Sequence, residues 1–126
     1  MLLDSTFLID LLDRSDAAES QLRNLIVTEI PVSVSPLSVH EAGLGLQEGE
    51  RERFEEILMS MIILPLGLAE SRRALSIQRT LYDQGEPIGA VDALIAATAA
   101  ESADPRVLTR NVSEFSRVVG IDIISY

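Results

Sequence analysis

The chain has 126 residues, the size of one ordinary domain, and 47% of them are apolar, a composition that argues against intrinsic disorder. Cysteine is absent, which excludes disulfides, thiolate metal sites and cysteine nucleophiles. Twenty acidic residues stand against 10 basic ones, all of them arginine, and the net charge is -10. This charge opposes binding to nucleic acid at low salt, because phosphate contacts normally supply most of the affinity.

An acidic, lysine-free surface is typical of proteins from halophiles, and we hypothesise a halophilic origin. Concentrated salt would reduce the repulsion, since the screening length falls to about 3 Å near 1 M. The longest apolar stretch, Met59 to Leu68, is too short to cross a bilayer. The N-terminus lacks the basic region of a signal peptide, so we expect a cytoplasmic protein without a membrane segment.

Five short runs rich in Val, Ile and Leu predict strands, most of them buried on both faces. They are Met1 to Leu3, Val32 to Val34, Met61 to Leu64, Arg106 to Thr109, and Ile121 to Ile124. Four stripes with helical spacing separate them: Phe7, Leu8, Leu11 and Leu12; Leu22, Leu25 and Ile26; Phe54, Ile57, Leu58 and Met61; and Ala74, Leu75, Leu81 and Tyr82. We therefore predict a single α/β domain over residues 1 to 126, with a parallel sheet covered by helices on both sides.

Ligands of such sheets bind beyond the carboxyl ends of the strands, and Asp4 lies at the end of the first strand. Asp4 could instead serve only as a helix N-cap. Glu41 follows a helix start at Ser35 and Pro36, and it shares a face with Leu37 and Leu44 that we expect to point inward. The alternative is that this stripe is misphased by one position and Glu41 is solvated.

Asp92 is the only charge in the segment Ile88 to Ala100, which predicts a helix buried all round. Ionised carboxylates are rarely left unpaired in such surroundings. The alternative role is an acid that interacts with the helix dipole. Near the end of the fourth strand, Asn111 and Glu114 match a capping box, so Glu114 is either a further acid of the site or a structural cap.

Converging carboxylates repel one another unless a cation lies among them. Oxygen ligands without cysteine, in a chain with only one histidine, suit Mg²⁺ or Mn²⁺ rather than zinc. Such an ion promotes phosphodiester hydrolysis by activating water. No phosphate-binding glycine loop or nucleophile elbow is present, and we interpret His40 as a surface or packing residue.

Four segments, in this order, resemble the PIN domain and, within that family, the VapC toxins. They are Leu3-Asp4-Ser5-Thr6-Phe7-Leu8-Ile9-Asp10, Ser38-Val39-His40-Glu41, Ile88-Gly89-Ala90-Val91-Asp92-Ala93-Leu94-Ile95-Ala96, and Leu108-Thr109-Arg110-Asn111-Val112-Ser113-Glu114-Phe115. At position 114 the family usually carries Asp, and this chain has Glu.

The resemblance implies a three-layer α/β/α sandwich with a five-stranded parallel sheet. It implies Mg²⁺ or Mn²⁺ bound chiefly through Asp4 and Asp92, with Glu41 completing the acidic group. Thr6 would be a supporting polar neighbour, and Thr109 and Asn111 would line the cleft. Proteins of the VapC type are endoribonucleases, commonly homodimers, and a VapB antitoxin holds them inactive.

The leading hypothesis is therefore a metal-dependent endoribonuclease with Asp4, Glu41 and Asp92 as its catalytic residues. Arg110 is a candidate phosphate contact, although a solvated arginine is the favoured alternative. One alternative is a PIN-like module that has lost catalysis and serves in binding or assembly, as the acidic composition and Glu114 suggest. Another is a nuclease of the same chemistry that acts on DNA.

Overall fold

The computed structural model describes residues 1–126, and it contains five strands and seven helices. The strands are β1 (Leu2–Leu3), β2 (Ser33–Val34), β3 (Ile62–Ile63), β4 (Arg106–Leu108) and β5 (Asp122–Ile124). The helices are α1 (Ser5–Leu12), α2 (Asp16–Val27), α3 (Pro36–Leu44), α4 (Arg51–Met59), α5 (Leu68–Asp83), α6 (Ala90–Ala100) and α7 (Val112–Phe115). All five predicted strands are confirmed, each with slightly shorter bounds.

The strands form one parallel sheet in the order β3-β2-β1-β4-β5. Strand β1 is central, and its neighbours β2 and β4 come from the first and last thirds of the chain. The chain order therefore reverses around β1, which places the end of β1 where ligands of open parallel sheets usually bind.

Alternating side chains of the sheet enter two separate cores. Leu3 and Leu108 pack with α1, α2, α3 and α4 on one side, whereas Leu2 and Val107 pack with α5, α6 and α7 on the other. Because neighbouring residues of a strand point to opposite faces, two cores on opposite faces require two helical layers. The three-layer α/β/α sandwich is confirmed.

Several residues are more exposed than their sequence patterns predict. Strand β3 is an edge strand, and Ile62 and Ile63 are 55% and 49% exposed. In α5 the buried positions are Ala74, Ile77 and Leu81, while the predicted Leu75 and Tyr82 face solvent. Adjacent residues in a helix are about 100° apart, so a stripe assembled from neighbouring pairs extends beyond the buried face.

The stripe of α1 is confirmed, since Phe7, Leu8, Leu11 and Leu12 are all buried. Of the stripe predicted for α2 only Leu25 is buried, and Ile26 is exposed; the other buried residue of this helix is Ala18. Helix α6 is buried from Ala93 onward except at Leu94 and Ala100, but its first turn reaches the surface. None of the helices combines the length and hydrophobicity that a membrane span requires.

Candidate active site

Asp4 lies at the carboxyl end of β1 and begins α1 as its N-cap. Its carboxylate accepts hydrogen bonds from the backbone N of Ser5 at 2.7 Å, from Thr6 Oγ1 at 3.1 Å and from Thr109 Oγ1 at 2.7 Å. The side chain is almost fully enclosed, since Asp4 is only 3% exposed. Asp4 is therefore a cap, and it is also fixed by donors from two neighbouring strand ends.

The inward stripe predicted for Glu41 is misphased. In α3 the buried residues are Ser38 and Ala42, whereas Leu44 is 76% exposed and Glu41 itself faces solvent. A nine-residue helix that begins at Pro36 has little more than two turns, so an error of one position changes which face is assigned to the core. The helix start at Ser35 and Pro36 is as expected.

Glu41 nevertheless reaches the mouth of the site. Its Oε1 accepts a hydrogen bond from Ser5 Oγ at 2.6 Å, and Ser5 Oγ lies 3.1 Å from Ser38 Oγ. Ser5 directly follows Asp4, and the negative charge of Glu41 raises the pKa of both Asp4 and Asp92. Glu41 therefore belongs to the site as its exposed acid.

Asp92 lies in the first turn of α6, half-buried, with its carboxyl group within hydrogen-bonding reach of Glu114. Burial, the hydrogen bond with Glu114 and the charge of Asp4 raise the pKa of Asp92 to about 7. The same hydrogen bond, together with the Asn111 side chain and the charge of Arg117, lowers the pKa of Glu114. The two acids thus lie next to each other where α7 packs on α6.

The reciprocal hydrogen bonds of a capping box do not form at α7. Asn111 is the N-cap of this helix, but its side chain makes no cap hydrogen bond. Glu114 turns toward Asp92 and the Asn111 side chain instead. Of the two alternatives for Glu114, the structure therefore places it among the acids. We call Asp4, Glu41, Asp92 and Glu114 the acidic cluster.

Thr109 follows β4 and connects the remaining polar residues. Its hydroxyl donates to Asp4 and accepts from the backbone N of Asn111 at 2.9 Å. Arg110 points away from this contact, and its Nε lies 2.9 Å from Asp10 Oδ2. Thr6, Thr109 and Asn111 are thus in the cleft, while Arg110 is held at its margin.

Sequence analysis missed three residues around the cleft. Ser5 and Ser38 link Glu41 to the end of β1. Asp10 binds Arg110 and accepts a hydrogen bond from Tyr126 Oη at 2.6 Å. Burial and this bond raise the pKa of Tyr126 to about 12. Asp10 could have been noticed as a carboxylate one turn beyond Phe7, because that position adjoins the buried stripe of α1.

The donor set of the cluster fits a hard divalent cation. Its candidate ligand atoms are carboxylate oxygens, and the effects that shift the pKa of Asp92 all raise it, as expected for acids without a neutralising side chain. As the side chains stand, no three acidic or histidine residues converge on one point. A closed protein cage is not required for Mg²⁺, which commonly takes one or two protein carboxylates and keeps several waters.

Comparison with known proteins agrees with this architecture. A family model of the PIN domain matches residues 1–121. The chain is 33% identical over 100 residues to Ribonuclease VapC1 of Rickettsia felis, covering 73% of this chain and 74% of the relative.

Solved structures share the whole fold. VapBC2 from Rickettsia felis, bound to a DNA fragment from its promoter, superposes with a TM-score of 0.85 at 18% identity and covers 99% of this chain and 97% of that one. FitAB bound to the IR36 DNA fragment superposes with a TM-score of 0.82 at 26% identity, covering 98% and 93%. The chain belongs to the PIN-domain family and, within it, to the VapC type.

Proposed function

We propose that this protein is a Mg²⁺- or Mn²⁺-dependent endoribonuclease that acts as the toxin of a toxin-antitoxin pair. The observation that carries the proposal is the position of Asp92, half-buried beside Glu114 and Asp4, with every effect that shifts its pKa raising it. A divalent cation would relieve this repulsion. The name of the relative from Rickettsia felis, Ribonuclease VapC1, supports RNA as the substrate.

In the proposed site Asp4 and Asp92 would hold the cation, with Glu41 and Glu114 as the neighbouring acids. When bound, such an ion stabilises charge on the scissile phosphate and promotes ionisation of the attacking water. Thr109, Thr6 and the Ser5 backbone fix the orientation of the Asp4 carboxylate through their hydrogen bonds. Glu41, exposed and hydrogen-bonded to Ser5, is placed to accept a proton from water at the mouth of the cleft.

The test is cleavage of single-stranded RNA with Mg²⁺ or Mn²⁺ at high salt by the wild-type chain, Asp92→Asn and the control Asp83→Asn. Asp83 is an exposed aspartate at the end of α5, outside the acidic cluster. We expect the control to cleave like the wild type and Asp92→Asn to lose activity. Equal cleavage by all three would show the mechanism to be wrong.

The same experiment separates the two alternatives. A DNA strand of the same sequence, assayed in parallel, would be the preferred substrate of a DNA-directed nuclease. A module without catalysis would cleave neither strand. If calorimetric titration with Mn²⁺ then also gave no heat at the cluster, the chain would be a binding or assembly module.

We propose that the antitoxin docks in the groove between α2 and α4, a cavity of about 290 Å³. Its apolar lining is Leu11, Leu22, Ile26 and Ile57. Arg53 lies among them; its Nη2 donates to the Leu11 carbonyl at 2.8 Å and lies 3.4 Å from Glu19 Oε1, while its Nε is buried and without a hydrogen-bond partner. An amphipathic helix with an acidic residue would cover the apolar side chains and supply the missing acceptor.

This docking site has a direct test. Ile26 is 65% exposed on the groove, and Ile26→Glu should prevent co-purification of the antitoxin after co-expression. Leu75→Glu adds the same charge on α5, outside the groove, and should leave the complex intact. Loss of the complex in both variants, or in neither, would contradict the assignment.

We also propose a homodimer, formed through the apolar face around β3. Pro36, Val39, Leu58, Met59 and Ile63 line a cavity of about 340 Å³ on this face, and β3 is an open sheet edge. Exposed apolar patches beside an open edge are typical of interfaces. Light scattering should give twice the 13.8 kDa chain mass for the wild type and the single chain mass for Ile63→Glu.

A further inference from the structure

A polar cavity of about 220 Å³ lies between α5 and the segment that joins α7 to β5. Its polar lining consists of Arg73, Ser76, Thr80, Gln84 and Arg117. In a chain with net charge -10 and only 10 arginines, two of them line this one small cavity. We call it the α5 cavity.

Arg117 connects the α5 cavity to the acidic cluster. It follows Glu114 by one helical turn, its backbone N donating to the Glu114 carbonyl at 3.1 Å. Its Nη1 donates to the carbonyl of Pro87 at 3.0 Å, in the segment that leads into α6 and Asp92. The guanidinium therefore borders the cavity and is close enough to Glu114 for its charge to lower the pKa of that acid.

Both arginines keep free donors toward the cavity. A guanidinium has five N–H donors, and the Arg117 side chain donates only to the Pro87 carbonyl. Arg73 uses its Nε for Glu101, at 2.8 Å, and its terminal nitrogens have no hydrogen-bond partner within the protein. Hydroxyl and amide groups of Ser76, Thr80 and Gln84 lie on the same wall.

We propose that the α5 cavity binds a backbone phosphate of the RNA strand, next to the phosphate that is cleaved at the acidic cluster. This inference rests on the proposed ribonuclease function. Planar guanidinium groups match phosphate oxygens with paired hydrogen bonds. The volume is below the range of about 300 to 1,000 Å³ of sites that enclose whole small molecules, which agrees with a single phosphate group.

The subsite also explains how a chain with a large negative charge binds RNA. Repulsion from 20 acidic residues has to be offset locally, since phosphate contacts supply most of the affinity for nucleic acid. The apolar wall of Ile77, Leu81 and Val118 excludes water from one side of the cavity and strengthens the attraction between guanidinium and phosphate. RNA is thereby attracted at one edge of a surface that repels it elsewhere.

Binding of a short fluorescein-labelled single-stranded RNA tests the subsite by fluorescence anisotropy in EDTA over a series of KCl concentrations. Thr80→Glu places a carboxylate on the cavity wall, and its control Leu75→Glu adds the same charge to α5 outside the cavity. Arg117→Gln removes the bridging cation, and its control Arg72→Gln removes an exposed arginine of α5 that does not line the cavity.

We expect Thr80→Glu and Arg117→Gln each to weaken RNA binding about tenfold, as for one hydrogen bond to a charged group. The controls should change it little. For Arg117→Gln the slope of log K against log salt should become shallower by about 0.7, the loss of one phosphate contact on a single strand. With Mg²⁺ present, both variants should raise KM about tenfold, and Thr80→Glu, which keeps the positive charge beside Glu114, should leave kcat nearly unchanged.

The outcomes distinguish the subsite from the proposed function. If the wild type cleaves RNA while Thr80→Glu and Arg117→Gln bind and cleave like their controls, the subsite is wrong and the function stands. If the wild type does not cleave RNA but Thr80→Glu binds it more weakly than Leu75→Glu, the subsite stands and the function is wrong. A wild type that neither binds nor cleaves RNA would refute both.

Discussion

Aspartates at the two ends of the sheet have opposite electrostatic surroundings. At the amino ends of the strands, Asp104 accepts hydrogen bonds from Arg106 Nε at 2.8 Å and Nη2 at 2.7 Å, and from the amino group of Met1 at 2.7 Å. These partners, Arg106 first, lower the pKa of Asp104. At the carboxyl ends, burial and neighbouring acids raise the pKa of Asp92 to about 7.

This difference separates an acid that stabilises the fold from acids whose charges the proposed cation would neutralise. Asp104 has its cations within the protein, so its charge contributes to stability. Asp92 has Glu114, Asp4 and Glu41 as charged neighbours, and its charge opposes folding unless a cation neutralises it. Each of the following predictions measures one side of this contrast, from the largest expected effect to the smallest.

Asp92→Asn should lower kcat/KM for RNA cleavage by about 100- to 1,000-fold, the range for removal of one group that stabilises transition-state charge. Without metal its melting temperature should not fall, because Asn can still donate to Glu114 and no longer carries a repelled charge. Thermal unfolding in EDTA and cleavage kinetics measure the two effects. A clear loss of stability would mean that Asp92 is a structural acid like Asp104.

Mn²⁺ at about 100 times its dissociation constant should add about 2.7 kcal/mol to the free energy of unfolding of the wild type. Asp92→Asn should gain little from the same addition. Asp104→Asn serves as the control, and it should gain as much as the wild type. Denaturant unfolding with and without Mn²⁺ gives these values, and an equal gain in all three proteins would place the ion elsewhere.

Thr109→Val should weaken Mn²⁺ binding about tenfold, because loss of a hydrogen bond that orients a ligand commonly costs 10- to 100-fold in affinity. The matched control is Thr98→Val, since Thr98 is also buried but donates to the Leu94 carbonyl within α6. Calorimetric titration compares the two. If both variants bind Mn²⁺ equally well, Thr109 does not position Asp4 for the ion.

Asp104→Asn should lower the free energy of unfolding by about 1 to 2 kcal/mol near neutral pH, as expected for lost hydrogen bonds to charged groups, while RNA cleavage is unchanged. The pKa of Asp104 is lowered in the folded state, so its contribution is present above its ordinary pKa near 4 and is lost as the pH falls below it. The stability difference from wild type should therefore shrink in acid. A difference that stays constant down to low pH would contradict the ion-pair explanation.

Much of the fold is readable from the sequence because it depends on local patterns. Each strand is a short apolar run, and the start of α3 follows from Ser35 and Pro36. The exposure of β3 is not readable in this way, because an edge strand and a central strand of a parallel sheet can have the same apolar sequence. Only the strand order leaves Ile62 and Ile63 at the surface.

The residues of the acidic cluster also differ in whether the sequence alone identifies them. Asp4 and Asp92 stand out because each is a lone charge beside an apolar run. The contact between Asp92 and Glu114 depends on how α7 packs on α6, which no local pattern specifies. The position of Arg117 cannot be predicted from a local pattern either, because its contact with Pro87 results from the packing of two distant segments.

The hydrogen bond from Thr109 to Asp4 joins residues 105 positions apart, and the neighbouring backbone bond from Asp4 N to the Leu108 carbonyl spans nearly as far. The ribosome makes Asp4 well before it makes the β4 segment. A growing chain whose β4 is still in the exit tunnel lacks the donor that fixes Asp4. The order of synthesis thus delays assembly of the acidic cluster until β4 has left the ribosome and can supply its hydrogen bonds to Asp4.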